Sequence, residues 1–322
     1  MALGSVVALA GGVGGAKMAQ GIAQMLNPGK LTVVVNTADD FEHLGLHISP
    51  DLDTVMYTLA GLHNAATGWG LADESWSFME ALGRLGGATW FRLGDRDMAT
   101  HVERTLRLRS GENLSSITEG FCARLDVATH VLPMSDDQVR TMVRTDSGHI
   151  PFQEYFVRRK CIPVVRGFEF EGADEAVFNQ SAYAALQAPD LIAVVICPSN
   201  PYVSIAPILA LAGVREWLRR IPAPVIAVSP IVGGVALKGP AAKMMCELGE
   251  KPVSETVAAE YDGLLDGFVL DRTDGAEVDA IQARGLRVLL TDTVMHTCAD
   301  KARLAAEIMV FAAEIPRVLV TL

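Results

Sequence analysis

Residues 8 to 17 read Ala-Leu-Ala-Gly-Gly-Val-Gly-Gly-Ala-Lys and follow directly on the apolar run Ser5–Ala10. A strand that enters a glycine turn and leaves as a helix fits this pattern. Gly11, Gly12, Gly14 and Gly15 let the backbone approach a ligand at φ values that other residues resist. A helix start adds free N–H groups and the positive end of the dipole, and both suit phosphate. A bare strand–helix turn needs fewer glycines, so a phosphate or nucleotide site is the better account. Two familiar loops fit it poorly. In a dinucleotide fingerprint a third glycine follows Gly14, but Lys17 stands there, and the second strand ends in Asn36 rather than an acid. In a Walker A loop Ser or Thr follows the lysine, but Lys17 lies between Ala16 and Met18.

A second chemistry comes from acids. Asp39, Asp40, Asp51 and Asp53 follow the second apolar run, in Asn36-Thr-Ala-Asp-Asp40 and Pro50-Asp-Leu-Asp-Thr54. Carboxylates gathered on one sheet edge repel unless a cation lies between them. Mg²⁺ commonly takes one or two carboxylates together with substrate phosphate oxygens. The competing account is capping, with Asp51 and Asp53 at a helix start and Asp40 in a turn. In Leu93-Gly-Asp-Arg-Asp97, Arg96 could clamp a phosphate or stack on a flat ring, or pair with Asp95 or Asp97. Asp97 and His101 share a helix face four residues apart, where a structural histidine is expected. Two later loops carry similar polar chemistry. One is Cys197-Pro-Ser-Asn-Pro201 with Ser204, and the other is Ser229-Pro-Ile-Val-Gly-Gly234 with Lys238 and Gly239. His43 and His47 lack a third ligand and the H-E-x-x-H pattern, so zinc is discounted. Arg215, Arg219 and Arg220 read as a solvated helix end. No G-x-S-x-G or Cys–His arrangement suggests a covalent intermediate.

The elements that must position these groups alternate. Ser5–Ala10 and Leu31–Asn36 read as strands around a helix over Ala16–Leu26, which Asn27-Pro28-Gly29 stops. Buried-type strands recur at Leu191–Cys197, Val225–Ser229, Gly267–Leu270 and Arg287–Leu290, with helical stretches between them. We therefore expect a doubly wound, mostly parallel, Rossmann-like α/β sheet whose ligand lies beyond the carboxyl ends of its strands. Residues 1–97 and 165–322 would form this core. Residues 98–164 would insert a mainly helical cap, with a β-like stretch at Phe152–Arg158. The chain has 322 residues, half of them apolar, with mean hydropathy +0.28 and formal charge −11. Such acidity argues against binding nucleic acid or an anionic membrane. Five scattered cysteines without a CxxC pair suggest reduced thiols and a cytoplasmic setting. No signal peptide or membrane span is apparent. We expect a homodimer from the fold size and an apolar cap.

Five motifs occur together and in order: Gly11-Gly-Val-Gly-Gly-Ala-Lys17, Asn36-Thr-Ala-Asp-Asp40, Pro50-Asp-Leu-Asp-Thr-Val-Met-Tyr57, Leu93-Gly-Asp-Arg-Asp97 with Ala99-Thr-His101, and Pro198-Ser-Asn-Pro201 with Ser204. This set resembles the 2-phospho-L-lactate transferase family of coenzyme F-420 biosynthesis, over most of the chain. Trp69-Gly70, Asp73-Glu74 and Trp76 are similar to its bacterial branch. The resemblance implies a guanosine-diphospho donor carrying a lactyl, enolpyruvyl or glyceryl phospho-acid. The ribityl hydroxyl of the deazaflavin precursor Fo would attack the phosphorus and release GMP. It also implies roles. Gly11, Gly12, Gly14 and Gly15 would cradle the phosphates, with Lys17 and Asn36 also binding substrate. Asp40 and Asp53 would hold Mg²⁺ or orient the hydroxyl. Asp53 and Arg96 would contact Fo, and Asn200 and Ser204 would hold donor phosphate or guanosine. The alternatives are a nicotinamide-dependent oxidoreductase and a non-catalytic nucleotide-sugar-binding regulator. Relatives of the latter kind lack the paired Pro-Asp-Leu-Asp-Thr and Gly-Asp-Arg-Asp motifs.

Overall fold

The apolar runs line up side by side. They are β1 (Ser5–Ala10), β2 (Leu31–Val35), β3 (His130–Pro133), β4 (Leu191–Ile196), β5 (Val225–Val228), β6 (Gly267–Asp271) and β7 (Arg287–Thr291). They form a seven-stranded sheet in the order β7-β6-β5-β4-β1-β2-β3, with every pairing parallel. The computed structural model describes residues 4–316. Parallel strands need both faces covered, which explains their near-continuous apolar sequences. In β1, Val7 and Leu9 enter one core while Val6, Ala8 and Ala10 enter the other. Helices α1 (Gly12–Met25), α2 (Pro50–Leu59) and, near the carboxyl end of the chain, Cys298–Ala313 cover the second of these faces through Met18, Ile22, Val55, Leu304 and Ile308. Helices Gln180–Leu186, Ala206–Ala210 and Val214–Arg220 cover the first through Leu186, Ile208 and Leu218. The sheet is thus the expected doubly wound, Rossmann-like α/β structure.

The chain leaves β1 toward β2 and returns through β4 on the other side of β1. That reversal opens a crevice at the carboxyl ends of β1 and β4. The glycine turn and the Pro198–Ser204 loop therefore face each other there.

Residues 98–164, expected as a mainly helical cap, divide between layers. The helix Asp97–Arg109, α3 below, and Leu114–Arg124 are helical. His130–Pro133 then joins the central sheet as its edge strand. Arg140–Thr145 and Gly148–Pro151 pair antiparallel, and Arg140–Thr145 also pairs with Val165–Glu171, in a separate three-stranded sheet. The limits at 97 and 165 thus cut α3 and split one sheet. Phe152–Arg158 is not a strand either, since Glu154–Arg158 winds as a π-helical turn. Phe152 and Phe156, four apart, land on one face and stack with ring centroids 5.4 Å apart. Among the described residues, no helix is long and apolar enough to cross a membrane.

Candidate functional site

A cavity of about 860 Å³ opens at the crevice. Its polar end is lined by Gly11, Gly12, Gly14, Lys17, Ser199, Asn200, Ser204 and Lys238. The two loops there are locked together. The Gly11 amide donates to Ser199 Oγ at 3.1 Å, and that hydroxyl donates back to the Gly11 carbonyl at 2.8 Å. Gly14 passes so close to Pro198 that any β-carbon would strike the Pro198 carbonyl oxygen. Asn200 accepts from the Tyr202 amide at 3.0 Å and starts a buried π-helical turn, Pro201–Ile205, which presents Val203 and Ser204 to the cavity. Lys17 Nζ donates to the Met295 carbonyl at 2.8 Å.

The start of α1 already holds an anion. The Gly12 amide donates to Asp51 Oδ1 at 2.8 Å, and Asn36 donates to Asp51 Oδ2 at 3.1 Å. Burial pushes the Asp51 carboxyl up to about 6, against the pull of these hydrogen bonds. Asp39, also in the cavity wall, is raised well above the carboxylate range by burial and then by the charges of Asp51 and Asp40. Asp39 Oδ1 and Asp40 Oδ1 are buried without a hydrogen-bond partner. The other oxygen of Asp40 accepts from Ser49 at 2.7 Å and lies 3.1 Å from His47 Nε2.

Asp53, two residues beyond Asp51, faces different company. Both its oxygens accept from the buried Arg104 guanidinium. Burial works against the charge of Arg104, but Asp53 outweighs it and raises the pKa. His101 Nδ1 lies 3.7 Å from Asp53 and its Nε2 3.3 Å from Asp97. Asp97 accepts from the Tyr57 hydroxyl at 2.6 Å. Burial raises the Asp97 carboxyl, but His101 and Tyr57 outweigh it and hold it below its usual range. Ligand atoms of Asp53, Asp97 and His101 lie within 4.8 Å of one another, and Asp40 is not in that group.

Away from the glycine turn the lining is aromatic, with Trp90, Phe91, Phe152 and Phe156, while Trp69 follows Gly68, which packs against Val13 of that turn. Phe41, His43, Trp90 and Phe91 pack ring on ring, with centroids 4.8–6.0 Å apart.

Of the residues singled out from sequence, Gly11, Gly12, Gly14, Lys17, Asp53, Asn200 and Ser204 line this cavity. Gly15, Asn36, Asp40 and Arg96 do not. Gly15 is packed against Ser199 and Ala10. Asn36 is fully buried and ties Asp51, Val203 and Ala38 together. Arg96 is turned outward because Glu74 accepts from the Arg96 and Asp97 amides at the start of α3. Its guanidinium donates to the Ala72 carbonyl instead. Sequence reasoning missed Arg104, although Asp97, His101 and Arg104 fall at i, i+4 and i+7 on one helix face. The aromatic wall had no local signal.

Fold and cavity together define a Rossmann-like α/β protein with a large cavity at the topological switch point, where such sheets hold their ligands. Residues 6–307 match the family model described as "2-phospho-L-lactate transferase CofD", and the chain belongs to that family of transferases. It is 40% identical over 316 residues to a phosphoenolpyruvate transferase of Streptomyces griseus, covering 96% of this chain and 99% of that one. A phosphoenolpyruvate transferase of Kitasatospora aureofaciens is 42% identical over 312 residues, covering 93% and 96%. Among solved structures, a UPF0052 family member from Bacillus halodurans superposes with TM-score 0.60 at 14% identity, covering 95% of this chain and 99% of that one.

Proposed function

We propose that the protein transfers a phospho-acid group from a guanosine-diphospho donor to the ribityl hydroxyl of Fo, releasing GMP, in coenzyme F-420 biosynthesis. The observation that carries this is the two-ended cavity. A polar end of glycine, serine and lysine suits a nucleoside diphosphate, and an aromatic end suits a flat heterocycle. Among phospholactyl, phosphoenolpyruvyl and phosphoglyceryl donors, the names of the similar proteins favour phosphoenolpyruvyl.

Phosphoryl transfer is mainly positioning and charge neutralisation. The Fo ring would lie among Trp90, Phe91, Phe152 and Phe156, with its ribityl chain directed to the carboxylates. Arg92, in the wall beside Trp90 and Phe91, takes the contact expected of Arg96. Asp51 faces the cavity with its carboxyl raised by burial to about 6, which suits a group that accepts the hydroxyl proton. A magnesium ion would be held by Asp39 and Asp40, whose buried Oδ1 atoms have no hydrogen-bond partner. Bound there, it would neutralise phosphate charge. Asp53 leaves that ligand set because Arg104 takes both its oxygens. We read the working form as a cytoplasmic homodimer acting on free small molecules.

Mass spectrometry of products from Fo and the three donors is the test. A phosphodiester of Fo together with GMP is expected, most rapidly with the enolpyruvyl donor. No product with any donor overturns the proposal.

A further inference from the structure

We infer that the anionic end of the ligand, a diphosphate ester, is seated by Lys17 and Lys238 with Lys301 behind them, and not by the N-terminus of α1. This builds on the proposed function only in naming the diphosphate as the anion.

The start of α1 is the obvious seat, and it is taken. Its first amides donate to Ser199 and to the buried Asp51 carboxylate. A phosphate brought to the same amides would meet that carboxylate at close range. The lysines present the opposite situation. Lys17 Nζ lines the cavity and has a backbone carbonyl, that of Met295, as its partner. Lys301 is 5% exposed, and its Nζ donates to Gln20 Oε1 at 2.7 Å. The Gln20 amide is held in turn by the Thr58 carbonyl at 2.7 Å. Among the described residues no carboxylate lies within 4.0 Å of either ammonium group, whereas Lys30 and Lys243 each have one. Lysine is rarely so buried without a counter-charge. Burial, then Lys301 and Lys238, lower the proton affinity of Lys17, so these charges feel one another.

The geometry fixes this group rather than letting it drift. Gln20 and Lys17 are three apart on α1, hence on one face. A β-carbon at Gly21 would strike the Lys301 carbonyl, so the two helices touch there without room to slide. Lys238 is delivered by the hairpin Ile231–Val232 and Val235–Ala236, whose turn residues Gly233 and Gly234 have φ of 59° and 78°. Lys238 and Met295 line the same cavity. Among the described residues none of the three has a carboxylate within 4.0 Å, so the half-buried Lys17, with the buried Lys301 behind it and the exposed Lys238 in the same cavity wall, suits a ligand bearing at least two negative charges. Lys301 does not line the cavity, so it acts as a positioning residue that tunes Lys17.

Calorimetric titration of the full chain with inorganic pyrophosphate, GDP and GMP tests this, using K238M, K301Q and K301R. We expect K238M and K301Q to weaken GDP and pyrophosphate at least tenfold and GMP less than threefold. K301R should restore GDP binding. A purely structural role for Lys301 would weaken all three ligands alike, and that result overturns the inference. So does GDP affinity within twofold of wild type in both variants, or a wild type that binds neither GDP nor pyrophosphate. If K301Q does not fold, K238M on the exposed hairpin decides alone. Selective loss in the variants without any transfer to Fo by the wild type would sink the proposed reaction and leave the lysine seat standing.

Discussion

The two ends of the cavity are built by different means. At the polar end, backbone meets backbone: Gly14 lies against Pro198, and Gly11 and Ser199 exchange hydrogen bonds. At the aromatic end, rings pack on rings: Phe41 and His43 against Trp90 and Phe91, and Phe152 against Phe156. Backbone contact leaves little freedom, so the polar end is rigid before ligand arrives. Rings held by rings can shift, so under the proposed function the aromatic end is where a change of acceptor would be accommodated.

The sharpest way to separate the two ends is Asp51→Asn. If Asp51 accepts the hydroxyl proton, transfer falls about 10²–10⁴-fold while Fo still binds. Single-turnover kinetics beside Fo fluorescence titration would show it, and a wild-type rate removes Asp51 from the chemistry. Next is the buried ion pair behind Asp53 of the cavity wall. Arg104→Ala leaves the buried Asp53 carboxylate unpaired and should cost about 3–5 kcal/mol of stability. Urea unfolding measures this; a loss below about 1 kcal/mol would mean that Asp53 has another counter-charge. At the aromatic end, Phe156→Ala removes a stacked ring worth about 0.5–1.5 kcal/mol. It should raise KM for Fo up to about tenfold and leave that for the donor unchanged. An equal effect on both substrates would dissolve the distinction between the ends.

The smallest effect concerns the wall that carries Thr293. Burial pushes the Asp271 carboxyl up, but the Thr273 and Thr293 amides outweigh it and hold it below the usual range. A carboxyl depressed in the folded state stabilises above the unfolded value near about 4 and loses that contribution as pH falls through the folded value. Asp271→Asn should therefore cost about 1 kcal/mol at neutral pH, with the gap to wild type closing below about pH 4. A gap that persists in acid assigns the loss to packing.

The same contrast explains what was legible in the sequence. Glycine and proline mark backbone constraint directly, so the turn after β1 and the loop after β4 could be read, and so could the sheet that sets them face to face. Asp51 and Asp53 could be seen as acids, but not which of them would meet Gly12 and which Arg104. That division depends on where α3 docks, a tertiary outcome with no local code. Asn36 looked like a ligand contact and is instead a fully buried tie, because a polar residue at a strand end serves either purpose until its neighbours are known. Arg96 was misplaced by a single capping carboxylate, Glu74, from a segment twenty-odd residues away. The three-stranded sheet hid because one of its strands lies beyond the boundary drawn for the cap.

The reciprocal bonds between Gly11 and Ser199 join residues 188 apart in the chain. A nascent polypeptide released before β4 has emerged owns the glycine turn but not the latch that closes it. The closed turn is thus a late-arriving feature, complete only when the middle strands of the sheet dock. By mass action, a saturating donor would defend the centre of the fold rather than a surface loop, and protease resistance of the whole sheet should climb with donor concentration.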